Sequence, residues 1–216
     1  MAQSADCLDL VRNYTKSSRA RLEGMADALC AIECEDIPGD VVEVGVWRAG
    51  NIMLARMLAP DRVCWLYDTF DGMTEPDPEL DIKLTGALNR AIDTWNAKRK
   101  VGCKWAAVSI DDVQQGFNTI GVSTERMHFV EGPVERTLDK VVPLRIAILR
   151  LDVDWHAPTK VALEKLYPLV VAGGFLIVDD YGHWAGARKA VNDYFGDAAP
   201  PWRDADYTCR IFRKCS

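Results

Sequence analysis

The chain has 216 residues and a formal net charge of -6, with 49% hydrophobic and 27% charged residues. That length supports one sizeable core with decorations, the composition is that of a soluble globular protein, and an acidic balance without a long basic stripe argues against nucleic acid as a partner. No apolar run reaches the length of a membrane span, residues 1–9 lack the charged and apolar regions of a secretory signal, and the seven scattered cysteines include no C-x-x-C pair, so reduced thiols in a cytoplasm are expected.

Residues 1–37 read as an N-terminal helical segment. Leu22, Met25, Ala26, Leu29, Ala31 and Ile32 give 18–34 a helical apolar pattern, and Pro38-Gly39 ends it at the entry to a domain spanning 38–216. The run 41–46, with Glu43 inside it, predicts a central parallel strand buried on both faces. A helix opens at Gly50, and 63–67 is the next strand, ending at Asp68. The pattern then breaks between 69 and 109. A loop around 74–78, a helix over 84–95 and a solvated helix end at Lys98-Arg99-Lys100 make this insertion a natural lid, with plain decoration as the alternative. Beyond it, 111–120 reads as a helix and 127–130 as a strand ending at Glu131-Gly132. Near the C-terminus, 186–195 reads as a helix and 207–212 as a last, antiparallel edge strand.

The stretch 145–182 organises the chain. The apolar run 146–151 ends in Asp152 and Asp154, a helix follows that Pro158 introduces and Gly173-Gly174 stops, and the run 175–178 ends in Asp179-Asp180. Strand, helix, strand predicts a right-handed parallel unit whose C-terminal ends share one sheet edge, where open α/β folds bind ligands. Neighbouring strands would bring all four acids together. Two carboxylates ~4 Å apart repel by about 4 kcal/mol at an effective dielectric of ~20. Protonation, a basic partner such as Arg150, Lys160 or Arg188, helix capping, or a hard cation held by oxygens (Mg²⁺ first, then Mn²⁺ or Ca²⁺) would relieve this.

The turn Gly45-Val46-Trp47-Arg48-Ala49-Gly50-Asn51 joins a strand to a helix with spacing G-x-x-x-x-G. It lacks both the dinucleotide fingerprint and the Lys-Ser/Thr of a phosphate loop, which suits a nucleoside without phosphate. Asp68 is placed to accept hydrogen bonds from ribose hydroxyls, with the capping of a turn as the alternative. Together these lean toward S-adenosylmethionine over a nicotinamide cofactor.

Val42-Glu43-Val44-Gly45-Val46-Trp47-Arg48-Ala49-Gly50, Asp68-Thr69-Phe70-Asp71-Gly72, Leu151-Asp152-Val153-Asp154 and Val178-Asp179-Asp180-Tyr181-Gly182 resemble the macrocin O-methyltransferase family. The resemblance runs in matching order from about residue 19 to 214. It implies an α/β class I methyltransferase fold, Rossmann-like, with a seven-stranded, mostly parallel sheet and helices on both faces. It implies S-adenosylmethionine and Mg²⁺ as cofactors, a sugar hydroxyl as methyl acceptor, antibiotic biosynthesis as the setting and a homo-oligomer. It also implies Asp152, Asp179 and Asp180 as metal ligands and Asp154 as general base. Glu43, Gly45 and Asp68 would lie at the cofactor, and Trp47, Gly50, Asn51, Glu131 and Gly132 complete the candidate cofactor set. Ala49 and Trp155-His156-Ala157-Pro158 depart from the family pattern.

His156 and His183, each just beyond an acidic strand end, are rival candidates for the base, because histidine titrates nearer neutrality. His128, inside a strand, reads as structural. Trp155 and Trp184 suit either an acceptor ring or ordinary packing. The expected activity is metal-dependent transfer of a methyl group to a small-molecule hydroxyl. A catechol-type acceptor, a nicotinamide-dependent oxidoreductase and a non-catalytic binding module are the alternatives.

Overall fold

The structure, a computed structural model, describes residues 2–84, 90–198 and 200–215. Two helices, α1 (Ala2–Leu10) and α2 (Arg19–Cys34), precede β1 (Asp40–Val44), α3 (Gly50–Leu58) and β2 (Cys64–Asp68). The insertion contributes α4 (Ala91–Lys100), and α5 (Ile110–Thr119), β3 (Met127–Glu131) and α6 (Val134–Thr137) follow. The second half runs β4 (Ile146–Leu151), α7 (His156–Leu166), β5 (Val170–Val178), α8 (Ala185–Phe195), β6 (Arg203–Asp204) and β7 (Arg210–Arg213).

One seven-stranded sheet has the order β3-β2-β1-β4-β5-β7-β6. The first five strands in that order are parallel, β7 is antiparallel to β5, and β6 is antiparallel to β7. β1 and β4 are buried on both faces, which is why their sequences read as continuous apolar runs rather than alternating ones. Successive side chains still go to opposite sides. Val41 packs with α1, α2, α3 and α5, whereas Val42 and Val44 pack with α6, α7 and α8. A third, smaller cluster of Ala91, Trp155, Trp184 and Ala187, with Met73 and Trp105 against it, ties the insertion to the edge where the parallel strands end.

Four boundaries differ from the sequence reading. β1 stops at Val44, because Gly45, Trp47 and Ala49 all take positive φ in the turn that follows. Helix α4 begins at Ala91 rather than 84, after an antiparallel bridge between Ile82 and Arg90; residues 85–89 of the expected helix lie outside the described ones. Gly173-Gly174 does not stop α7. That helix ends at Leu166, a 3-10 turn over Tyr167–Leu169 follows, and the glycines sit inside β5. A Cβ on Gly174 would press on the Ala147 carbonyl oxygen, where the β4–β5 register shifts, so this glycine serves close strand approach. The last strand begins at Arg210 rather than 207, and it is not at the edge, because β6 pairs along its outer side. His128 lies in β3, stacked on Trp65 with centroids 4.1 Å apart. All seven cysteines are free. Among the described residues no helix is long and apolar enough to cross a membrane.

Candidate active site

The parallel strands deliver their acids to one edge. Leu151 pairs with Val178 across β4 and β5, so the residues after them start level. Carboxylate oxygens of Asp152, Asp179 and Asp180 all lie within 4.8 Å of one another. Beneath them is Arg150, 1% exposed. Its Nη1 donates to Glu43 Oε1 (2.6 Å) and Asp152 Oδ2 (2.8 Å), and its Nη2 to Asp179 Oδ1 (2.6 Å) and Ser17 Oγ (3.0 Å). Glu43 and Arg150 are register partners on adjacent strands, which accounts for one acid and one base inside two otherwise apolar runs. Arg21, from α2, donates to Asp179 Oδ2 and pairs with Asp206 at 3.0 Å.

Two guanidinium groups do not balance this cluster. Burial pushes Asp179 up to about 6, and the Asp152 charge adds to the shift. Burial and Asp152 likewise push Asp154 up to about 7, while the neighbouring Asp180 and Trp184 side chains pull it back. Asp180 is held well above the carboxylate range by burial and then by the charge of Asp154. Glu43 rises to about 8, because burial outweighs the attraction of Arg150. Asp180 Oδ2 and Glu43 Oε2 are buried without a hydrogen-bond partner among the described residues. A buried, unpartnered carboxylate oxygen beside two further carboxylates fits a hard divalent cation, whose ligands are oxygens. The arginine-bonded oxygens of Asp152 and Asp179 keep lone pairs for it, since each carboxylate offers about four acceptor sites.

A cavity of about 430 Å³ opens over this cluster and extends along the strand ends to β1 and β2. Gly45, Trp47, Asn51, Asp68 and Gly132 line it, as do Asp152, Asp154, Asp179, Asp180 and His183. Gly45 has φ +82, and a Cβ there would overlap the Asp152 carbonyl oxygen, so the turn holds β1 and β4 close as well as leaving room for a ligand. Asp68 Oδ2 accepts from the Val46 and Trp47 amides (2.8 and 3.1 Å), and Oδ1 accepts from the Phe70 amide (2.9 Å). This carboxylate therefore braces the turn in addition to facing the cavity. Asn51 donates to Ser17 Oγ (3.3 Å), and its buried Oδ1 has no partner among the described residues.

Four candidates lie elsewhere. Glu43 is beneath the cavity on Arg150 and does not line it. Gly50 packs against Tyr14 and Thr15, whose atoms a Cβ would strike. Glu131 ends β3 outside the lining, next to Gly132. His156 opens α7 with its Nε2 turned to Asp193 at 3.8 Å, away from the acids. His183 does face the cavity, its Nδ1 2.9 Å from the Tyr207 hydroxyl, and burial followed by the charges of Lys83 and Arg21 lowers its pKa. Asp154 sits in the left-handed region (φ +58) between β4 and α7. Trp155 and Trp184 pack edge to face at 5.0 Å, with Trp105 against Trp155, and all three also line the cavity. Arg21, Ser17 and Asp206 carry no local signal of their place here, because α2 and the C-terminal strands reach the site only through the fold.

The sheet order, the glycine turn and the acids at the strand ends define a class I methyltransferase. The chain matches the macrocin-O-methyltransferase (TylF) family over residues 3–214. It is 32% identical over 188 residues to the 8-demethyl-8-(2,3-dimethoxy-alpha-L-rhamnosyl)-tetracenomycin-C 4'-O-methyltransferase of Streptomyces olivaceus, covering 85% of this chain and 68% of that one. It is 30% identical over 190 residues to the mycinamicin III 3''-O-methyltransferase of Micromonospora griseorubida, covering 84% and 70%. The structure of the O-methyltransferase NovP superposes with a TM-score of 0.81 at 28% identity, covering 94% of this chain and 83% of that one. The protein belongs to the macrocin-O-methyltransferase family and is an S-adenosylmethionine-dependent O-methyltransferase.

Proposed function

We propose that this enzyme methylates a sugar hydroxyl of a glycosylated natural product, using a divalent cation, Mg²⁺ on the chemistry of its ligands. The observation that carries this reading is the convergence of Asp152, Asp179 and Asp180 within 4.8 Å, in the cavity that Asp68 also lines. The acceptors of the related tetracenomycin and mycinamicin enzymes, as their names give them, support a glycosylated substrate.

S-adenosylmethionine enters as the methyl-donating substrate. Gly45, Asn51 and Gly132 would seat its nucleoside end, and Asp68 would accept from the ribose. Asp152, Asp179 and Asp180 would hold the cation, which supplies Lewis acidity that lowers the pKa of a sugar hydroxyl. Asp154 takes the hydroxyl proton as the acceptor oxygen bonds to the methyl carbon. The carbon–sulfur electron pair stays on sulfur, giving S-adenosylhomocysteine. Burial raises the Asp154 pKa and so makes it a stronger base than an ordinary carboxylate. The insertion 69–109 acts as a lid, and with Trp105, Trp155 and Trp184 it excludes water and aligns the acceptor.

The test is S-adenosylhomocysteine formation with mycinamicin III, 8-demethyl-8-(2,3-dimethoxy-alpha-L-rhamnosyl)-tetracenomycin-C and a plain catechol as acceptors, in EDTA and with Mg²⁺ restored. Turnover of a glycosylated acceptor only with Mg²⁺ is expected. Turnover of the catechol alone, or full activity in EDTA, would overturn the proposal.

A further inference from the structure

Helix α7 starts two residues after Asp154, yet its own N-cap residue, Trp155, caps no first-turn amide through its side chain. The missing acceptor comes from the insertion. Asp81 is 1% exposed, and its Oδ1 accepts from the His156 amide at 2.9 Å. Its Oδ2 accepts from the Asp77 amide at 2.7 Å, and its carbonyl oxygen accepts from the Ala91 amide at 3.0 Å. Flanking bonds tie the insertion to the same strand ends: the Ala185 amide donates to Ile82 O, the Leu84 amide to His183 O, and Trp155 Nε1 to Thr74 O. On the far side, a Cβ on Gly186 would overlap Asp81 Oδ1, so the first turn of α8 is glycine where this carboxylate passes. One buried carboxylate thus joins the insertion, α7 and α8.

We propose that Asp81 is a positioning residue: it caps α7 from outside the helix, and so fixes the Asp154 bend while clamping segment 74–84 over the acid cluster. The part concerning Asp154 rests on its reading as the base under the proposed function. A non-glycine residue at positive φ persists only where its surroundings hold it on both sides. On one side of Asp154, β4 is locked in the sheet. On the other, the start of α7 is held by the Asp81 bond. A carboxylate suits the place better than an amide, because both its oxygens accept and a negative charge complements a helix N-terminus.

Amide hydrogen exchange on the full chain reads this directly, with Asp81→Ala, Asp81→Asn and Gly186→Ala compared with the natural sequence. In Asp81→Ala, exchange should quicken at least tenfold at the His156 amide and across 74–84 together, while amides 147–151 in β4 stay protected. Asp81→Asn keeps one acceptor and should fall between. Gly186→Ala should reproduce the Asp81→Ala pattern from the opposite side and add little to it in the double variant. For whichever acceptor of the panel above is turned over, Asp81→Ala should lower kcat about tenfold and leave S-adenosylmethionine Kd within twofold. Unchanged exchange at His156, or quickening in 74–84 alone with kcat retained, overturns the proposal. If the natural sequence turns over no acceptor, the proposed function fails, and the exchange pattern still decides whether Asp81 is the clamp.

Discussion

Replacing Arg150 with Met should expose how the acid cluster is held. The guanidinium bonds three carboxylates, Glu43, Asp152 and Asp179, at 2.6–2.8 Å and the Ser17 hydroxyl at 3.0 Å, from a position 1% exposed. Methionine fills similar space, so little of the loss comes from a cavity. Removing one partner of a buried ion pair costs about 3–5 kcal/mol, because the other charge stays buried and unpaired. At pH 8 Arg150→Met should therefore lower unfolding free energy by about 3–5 kcal/mol. At pH 5.5 the carboxyls can take up protons, and the cost should shrink to about 1–2 kcal/mol, the worth of ordinary hydrogen bonds. Urea denaturation at both pH values, in EDTA, measures the difference. A loss below about 1 kcal/mol at pH 8, or a larger loss at pH 5.5 than at pH 8, would show that Arg150 is not what compensates the acids.

The cluster also sets a pH dependence. Asp179, Asp154 and Glu43 have folded-state values raised to about 6, 7 and 8, so their contribution is fully present below the ordinary carboxylate range and is lost as pH rises through those values. The metal-free protein should melt at progressively lower temperature from pH 5 to pH 8, and saturating Mg²⁺ should flatten the trend; a rising melting temperature over that window in EDTA would contradict it. Asp154→Asn should lower kcat by roughly 10²–10⁴, the usual worth of a general base, with S-adenosylmethionine affinity unchanged in calorimetry. If His183→Ala causes that loss instead, the proton goes to the histidine. Gly45→Ala places a methyl group on the Asp152 carbonyl at positive φ, so it should cost at least about 1 kcal/mol and remove the stabilisation that S-adenosylhomocysteine gives in a thermal shift.

Much of this was legible because the chemistry lies where strands end. Strand ends are marked by the switch from an apolar run to acids, as at Leu151-Asp152 and Val178-Asp179, and parallel pairing brings such ends together. The family motifs cover the same places. What was not legible depends on contacts distant in sequence. Gly173-Gly174 looks like a helix stop, because nothing local shows that β5 already runs through it. His156 looks like a site residue by its distance from Asp154, yet the first turn of α7 rotates it toward Asp193. Arg21 reaches Asp179 from α2, and Asp81 reaches the His156 amide from the insertion, over separations of 158 and 75 residues. The clue that Arg150 does more than pair loosely with the acids was its place inside a fully buried strand, where an unpaired charge could not persist.

The division of the four acids into three ligands and one base is tested most directly by titrating Mn²⁺, followed by its electron paramagnetic resonance signal, into the natural sequence, Asp180→Asn and Asp154→Asn. One tightly held ion per chain is expected in the natural sequence and in Asp154→Asn. Affinity should fall at least tenfold in Asp180→Asn, whose carboxylate carries the buried, unpartnered Oδ2. Loss of the ion in Asp154→Asn, or its retention at full affinity in Asp180→Asn, would contradict that division.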